Sequence, residues 1–193
     1  ACSSTGSRKL GEAIHVEVKK KRLLEKDIVL GNVLVDMYAK LGMLGKAQQV
    51  FNELPVKDVV SWSSLITGYA QQGLGNEALN CFKQMRNDGF PPSVVTFICV
   101  LKACGSVRSM DNGKRVHDAI VSRGLLEKNA MLGNALVHMY AKCGDLAKAW
   151  ELHEELHVRG VVSCSILIAG YAQCGEAEEA MRCFNEMKCE DIP

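Results

Sequence analysis

Shifted by 102 residues, the chain lies over itself from end to end. Gly31-Asn32-Val33-Leu34-Val35-Asp36-Met37-Tyr38-Ala39-Lys40 falls on Gly133-Asn134-Ala135-Leu136-Val137-His138-Met139-Tyr140-Ala141-Lys142. Val59-Val60-Ser61 falls on Val161-Val162-Ser163, and Gly68-Tyr69-Ala70-Gln71 on Gly170-Tyr171-Ala172-Gln173. About 43 of the 91 overlapping positions are identical. Such a period belongs to an array of small units, each of which buries its apolar face only by packing on its neighbours.

Shorter units lie within the long period. Residues 28–58, 59–93, 94–129 and 130–160 have lengths of 31, 35, 36 and 31, with part-units over 1–27 and 161–193. Each reads as two short helices. In 59–93, Ile66, Tyr69 and Ala70 form one helical stripe and Ala78, Phe82 and Met85 another. Gly42, Gly73, Gly105, Gly144 and Gly175 are expected just past a helix, where a left-handed residue caps it. Gly89-Phe90-Pro91-Pro92 ends a second helix, because proline cannot continue one. The expected fold is all-α, a right-handed superhelical solenoid of helix-turn-helix repeats of tetratricopeptide type. Both ends fall inside a unit and no leader-like segment opens at Ala1, so a piece of a longer protein is expected.

A net charge of +1 is lower than a duplex-DNA binder working through phosphates usually carries. No apolar run is long enough to cross a membrane. Nine cysteines without a C-x-x-C pair argue against a disulfide framework or a zinc site, and several fall at core positions as reduced thiols.

The alternation of 31, 35 and 36 residues resembles the S, P and L motifs of pentatricopeptide-repeat proteins of the plant PLS class. Val59-Val60-Ser61-Trp62-Ser63-Ser64-Leu65-Ile66 through Ala70 is similar to the P motif. Thr96-Phe97 with Val100-Leu101-Lys102-Ala103-Cys104 is similar to L, and Gly133-Asn134-Ala135-Leu136 through Gly144 to S. On this resemblance 28–58 and 130–160 are S-type, 59–93 is P-type, 94–129 is L-type, 1–27 is a partial L and 161–193 a partial P. The resemblance implies a non-enzymatic protein of the mitochondrion or chloroplast that binds single-stranded RNA in editing or processing. Further editing or processing factors are possible partners, with no cofactor, membrane or small-molecule substrate.

In that family each repeat reads one base through its fifth and last residues, while its second residue stacks on the base. Carried over position by position, the base-reading pairs are Asn32 with Asp58, Ser63 with Ser93, Ile98 with Asn129, and Asn134 with Gly160. Ser165 leads the last unit and Asp27 closes the first. The stacking residues are Val29, Val60, Val95, Met131 and Val162. An Asn amide matches the donor and acceptor edge of uracil, Asp58 would orient Asn32, and a Ser hydroxyl leaves room for a purine. Ile98 cannot hydrogen-bond a base, and Ser93 and Gly160 depart from the family's usual last residues. Two plainer readings stand beside this one. The apolar second residues could pack between repeats, and any single Asn or Ser could be a helix cap.

Other signals resemble chemistry. His153-Glu154-Glu155-Leu156-His157 spells the zinc-protease motif, but the sibling unit has Phe51-Asn52-Glu53-Leu54-Pro55 there. His153 therefore stands in a core aromatic slot, His157 in a helix-ending one, and no catalytic or metal site is expected. His15-Val16-Glu17 and His153-Glu154-Glu155 match half of a zinc-deaminase signature whose P-C-x-x-C half is missing. Lys19-Lys20-Lys21-Arg22 reads as a solvated helix end. The main alternative function is a protein-binding helical scaffold, which would favour larger charged side chains in its groove than the Asn, Ser and Val expected here.

Overall fold

The computed structural model describes residues 2–25, 27–126, 129–155 and 160–189. Among these, the regular structure is eleven α-helices and one short 3-10 turn, with no strand. In chain order the helices are α1 (Cys2–Lys20), α2 (Ile28–Lys40), α3 (Leu44–Glu53), α4 (Val59–Gln71), α5 (Gly75–Asn87), α6 (Val94–Ser106), α7 (Met110–Val121), α8 (Ala130–Cys143), α9 (Leu146–Glu155), α10 (Val161–Cys174) and α11 (Ala177–Cys189). The 3-10 turn, Leu23–Glu25, lies between α1 and α2. The chain divides into two compact units, 1–99 and 100–193.

In the first unit α2 pairs with α3 and α4 with α5, and α2 also packs along α4. The expected stripes form the core: Ile66, Ala78 and Met85 are fully buried, Ala70 nearly so, and Phe82 meets Phe97 edge to face. Tyr69 is half-buried, and its hydroxyl donates to Gln48 on α3 at 3.1 Å. The second unit repeats the scheme, with α8 paired to α9, α10 to α11, and α8 along α10. Neither helix of a pair can bury its stripe alone, so pairing and stacking carry the stability.

The turns show where glycine is required. Gly42, Gly73, Gly144 and Gly175 all have φ between 71° and 90°, the left-handed conformation that closes a helix. Gly105 does not. It lies inside α6, and the left-handed residue is Arg108 (φ 52°). Two backbone bonds explain the shift. Arg108 N–H donates to Gly105 and Ser109 N–H to Cys104, as Gly73 and Leu74 donate to Ala70 and Tyr69. Gly105 thus takes the place of the buried Ala70. A β-carbon on it would lie 3.2 Å from that of Lys142.

Candidate nucleic-acid interface

The first turns of α2, α4, α6, α8 and α10 share one arrangement. The second residue of each points outward: Val29 is 65% exposed, Val60 56%, Val95 57%, Met131 70% and Val162 60%. Burial between repeats is therefore not their situation. One residue further on the helix has turned inward, and Ser61, Thr96 and Ser163 are fully buried. The exposure of an apolar side chain thus recurs at the same helical position in each of these five helices.

The expected base-reading pairs divide into three kinds. Asn32 and Asp58 touch directly: the amide Nδ2 donates to Oδ1 at 3.2 Å and Oδ2 at 3.3 Å. Burial alone would push the Asp58 carboxyl up, but hydrogen bonds from Ser61 and Asn32 outweigh it and hold it below the usual range. An ionised carboxylate only accepts, so it fixes which end of the amide faces it. The opposite end, Asn32 Oδ1, is buried without a partner in the protein.

Ser63 and Ser93 are joined through a third residue. Thr96 Oγ1 lies 2.7 Å from Ser63 Oγ and 2.8 Å from Ser93 Oγ. The third pair has no side-chain link, because Gly160 has no side chain to offer. Ser163 bonds instead to the Gly160 backbone, and Asn134 Oδ1 is buried without a partner.

The remaining positions are less alike. Ile98 is half-buried and Ser165 exposed, and Asn129 bonds back to the Leu125 carbonyl at 3.2 Å. Capping accounts for some last residues and no fifth ones. Asp27 accepts from Val29 and Leu30, and Asp58 from Ser61 in a full capping box, whereas Asn129 makes no cap bond. Asn32, Ser63, Ile98, Asn134 and Ser165 all lie inside helices. The buried hydroxyls Ser61, Thr96 and Ser163 went unnoticed in the sequence. Their signal was Asp58-x-x-Ser61, Ser93-x-x-Thr96 and Gly160-x-x-Ser163, a capping spacing that recurs where units join.

Beside Val162 and Ser165 in the second unit lies a cleft of about 470 Å³, bordered from α8 by His138 and Lys142. Burial, then the nearby Lys142 and Lys102, push the His138 imidazole below its usual value, which favours the neutral ring.

The described histidines of the look-alike motifs sit in packed positions. His153 is buried in the slot of Phe51, its ring 5.7 Å from Trp150, while His157 lies outside the described residues. His15 Nδ1 is 3.1 Å from the Tyr38 hydroxyl. No group of three or more metal-ligating side chains is assembled among the described residues. Lys19 is less free than expected, since it bonds Glu53 on α3 at 2.8 Å. Cys81, Cys104, Cys164 and Cys183 are core thiols, and burial pushes Cys104 up to about 12. Cys174, at the end of α10, is exposed instead.

A fold of paired helices with this recurring first turn defines a helical-repeat protein. The PPR repeat family matches residues 57–106, and the PPR repeat matches 32–59, 134–161 and 162–192. The chain belongs to the pentatricopeptide-repeat family. A chloroplastic pentatricopeptide repeat-containing protein of Arabidopsis thaliana is 34% identical over 192 residues, covering 100% of this chain and 31% of the relative. A mitochondrial one from the same plant is 36% identical over 187 residues, covering 97% and 31%. The chain thus spans under a third of the length of these relatives. Among solved structures, the pentatricopeptide repeat protein PPR10 from maize has a TM-score of 0.72 at 22% identity, covering 98% of this chain and 28% of that one. The PPR domain of Arabidopsis thaliana protein-only RNase P 1, solved in complex with tRNA, has a TM-score of 0.62 at 16% identity, covering 80% and 85%. Both share its fold.

Proposed function

We propose that the chain binds single-stranded RNA one base per repeat, as part of a longer PLS-class protein that acts in RNA editing or processing in a mitochondrion or chloroplast. The repeats are those of 28–58, 59–93, 94–129 and 130–160, with parts at 1–27 and 161–193. The observation that carries this reading is the exposed apolar side chain at the second helical position of each unit, one turn from a polar fifth residue in all but the unit of Ile98. A base can lie on each apolar side chain while its edge meets the fifth residue. The Asn32 amide, oriented by Asp58, carries the acceptor and donor types that a uracil edge requires, and its Oδ1 has no partner within the protein. With the strand running 5′ to 3′ along the chain, the units from 28 to 193 read uracil, purine, an unassigned base, pyrimidine and purine. Relatives bearing chloroplastic and mitochondrial names support the organellar assignment.

Ser63→Asn tests the positional code. It replaces a short hydroxyl with an amide that fills the purine's space. The second base should move from purine to pyrimidine by about 1–3 kcal/mol. Ser64→Asn, one residue along, points elsewhere and should leave the preference unchanged. A randomised-RNA selection in which both variants shift the base, or neither does, removes this reading.

A further inference from the structure

In the second unit, the turn between α8 and α9 and the start of α11 border another cleft, of about 550 Å³. It shares no lining residue with the cleft beside Val162 and Ser165. Tyr171 borders it and is only 6% exposed, yet its hydroxyl has no hydrogen-bond partner among the described residues. The hydroxyl oxygen is not sealed from solvent, so it opens into the cleft. Its sibling is satisfied. Tyr69 donates to Gln48 at 3.1 Å, whereas Trp150, which stands 102 residues after Gln48, has an indole with no acceptor to offer.

The same shift turns Met43, Leu74 and Asn80 into Asp145, Glu176 and Arg182, while Glu77 recurs as Glu179. Four neutral positions of the first unit have thus become three charges and an indole around one cleft. The Arg182 guanidinium lies 5.5 Å from the Trp150 ring centre and 2.6 Å from Glu179. Asp145 accepts from the Lys148 N–H at 3.1 Å through one oxygen, and the Glu176 carboxylate has no partner among the described residues. Three carboxylates against one guanidinium leave the cleft negative, which repels phosphate and draws in a cation. Burial, and then the nearby Cys183 and Glu179, push the Tyr171 hydroxyl above its ordinary value, so it stays neutral. Acidic residues at the start of α11 also suit the helix dipole. Neither the unpaired hydroxyl nor the indole follows from that preference.

We propose that this cleft receives an arginine side chain from a basic segment of a protein partner, on a surface separate from the proposed RNA groove. A guanidinium carries donors alone, in a rigid fork. One N–H donates to the Tyr171 oxygen and another to Glu176, the two polar groups that the fold leaves without partners. Arg182 on Trp150 shows a guanidinium already held against this wall. The assignment does not depend on any base being read.

The test titrates the whole chain with fluorescein-labelled tetra-arginine by anisotropy, at about 0.15 M salt. The peptide should bind, and Tyr171→Phe should weaken it about fivefold or more, the worth of one net hydrogen bond. That substitution removes no charge, so a diffuse attraction between a basic peptide and surface carboxylates would not register it. It also removes an unpaired hydroxyl, so the melting temperature should not fall. Trp150→Gln, which restores the sibling's acceptor, should weaken the peptide as much. Glu77→Gln, the counterpart of Glu179 in the first unit, should leave binding unchanged. Absence of binding overturns the proposal, as does equal binding by the unaltered and Tyr171→Phe proteins or an equal loss in Glu77→Gln. Single-stranded RNA, titrated separately, should bind Tyr171→Phe and the unaltered protein alike. A fivefold loss there would assign the cleft to RNA and remove the peptide reading. Should Trp150→Gln unfold by circular dichroism, the Tyr171→Phe result decides alone.

Discussion

At the scale of the residue, one carboxylate does two things. Asp58 closes the N-terminus of α4 through Ser61 and at the same time fixes the Asn32 amide on α2. The last residue of one unit therefore caps the next helix and holds the Asn32 amide through the same carboxylate, and the two contacts do not compete. The second-position residues carry no such structural duty. Val60→Ser removes an exposed side chain, so unfolding free energy should change by no more than about 0.5 kcal/mol. RNA affinity should fall by about 1–3 kcal/mol, the worth of one stacked base. The pair of measurements is thermal unfolding and a titration with single-stranded RNA; a stability loss matching the affinity loss would show Val60 to be packing. Repeat positions carried over from the family were enough to set Asn32 with Asp58, which the fold brings into contact, and to single out Val60, which it leaves exposed. It was not enough to find Thr96. A threonine three residues after a serine reads locally as a cap, and only the fold brings Ser63, 33 residues earlier in the chain, within 2.7 Å of it.

At the scale of the element, small residues set how closely the first helices of successive units approach. A β-carbon on Gly68 of α4 would lie 2.5 Å from that of Ala39 on α2, with the Ala39 backbone 3.4 Å away. Backbone cannot swing aside as a flexible side chain can, so Gly68→Ala should destabilise by about 1–3 kcal/mol. Gly45 in the first turn of α3 has nothing within 4 Å of such an atom. Gly45→Ala should be neutral or stabilising by up to about 1 kcal/mol, through the helix preference alone. Chemical denaturation of the two variants checks both signs; a neutral Gly68→Ala would mean that α2 and α4 can slide apart. The helices themselves were legible because their stripes keep the helical period. Gly105 was misread for a definite reason. Glycine serves a left-handed turn and a close helix contact equally well, and sequence alone does not separate the uses. Arg108, which bears the left-handed strain, looks like any surface arginine.

At the scale of the whole molecule, the 102-residue period places the same histidine–tyrosine pair in each unit, buried in the first and half-buried in the second. His15 Nδ1 meets the Tyr38 hydroxyl at 3.1 Å in the first, and His117 Nδ1 meets that of Tyr140 at 2.9 Å in the second. The rings stand edge to face in both. Burial is the main cause that depresses both imidazoles below the ordinary value of 6.5, with Lys19 and Lys46 adding to it at His15 and Lys148 at His117. The unfolded chain therefore takes up protons at a higher pH than the folded one. Stability from these pairs is complete above about pH 6.5 and declines as pH falls from there through the lower, folded-state values. Asp58 and Glu53, held low by their hydrogen bonds, contribute to a further loss only in the carboxylate range beneath it. The melting temperature should thus be level from about pH 8 to 7 and fall as the pH drops below about 6.5. Replacing both histidines, as in His15→Gln with His117→Gln, should flatten most of that decline. A residue of slope should survive, because His138 is depressed in the same direction. Melting curves across this range decide the matter, and an unchanged slope in the double variant would place the acid sensitivity elsewhere than in the two repeated pairs.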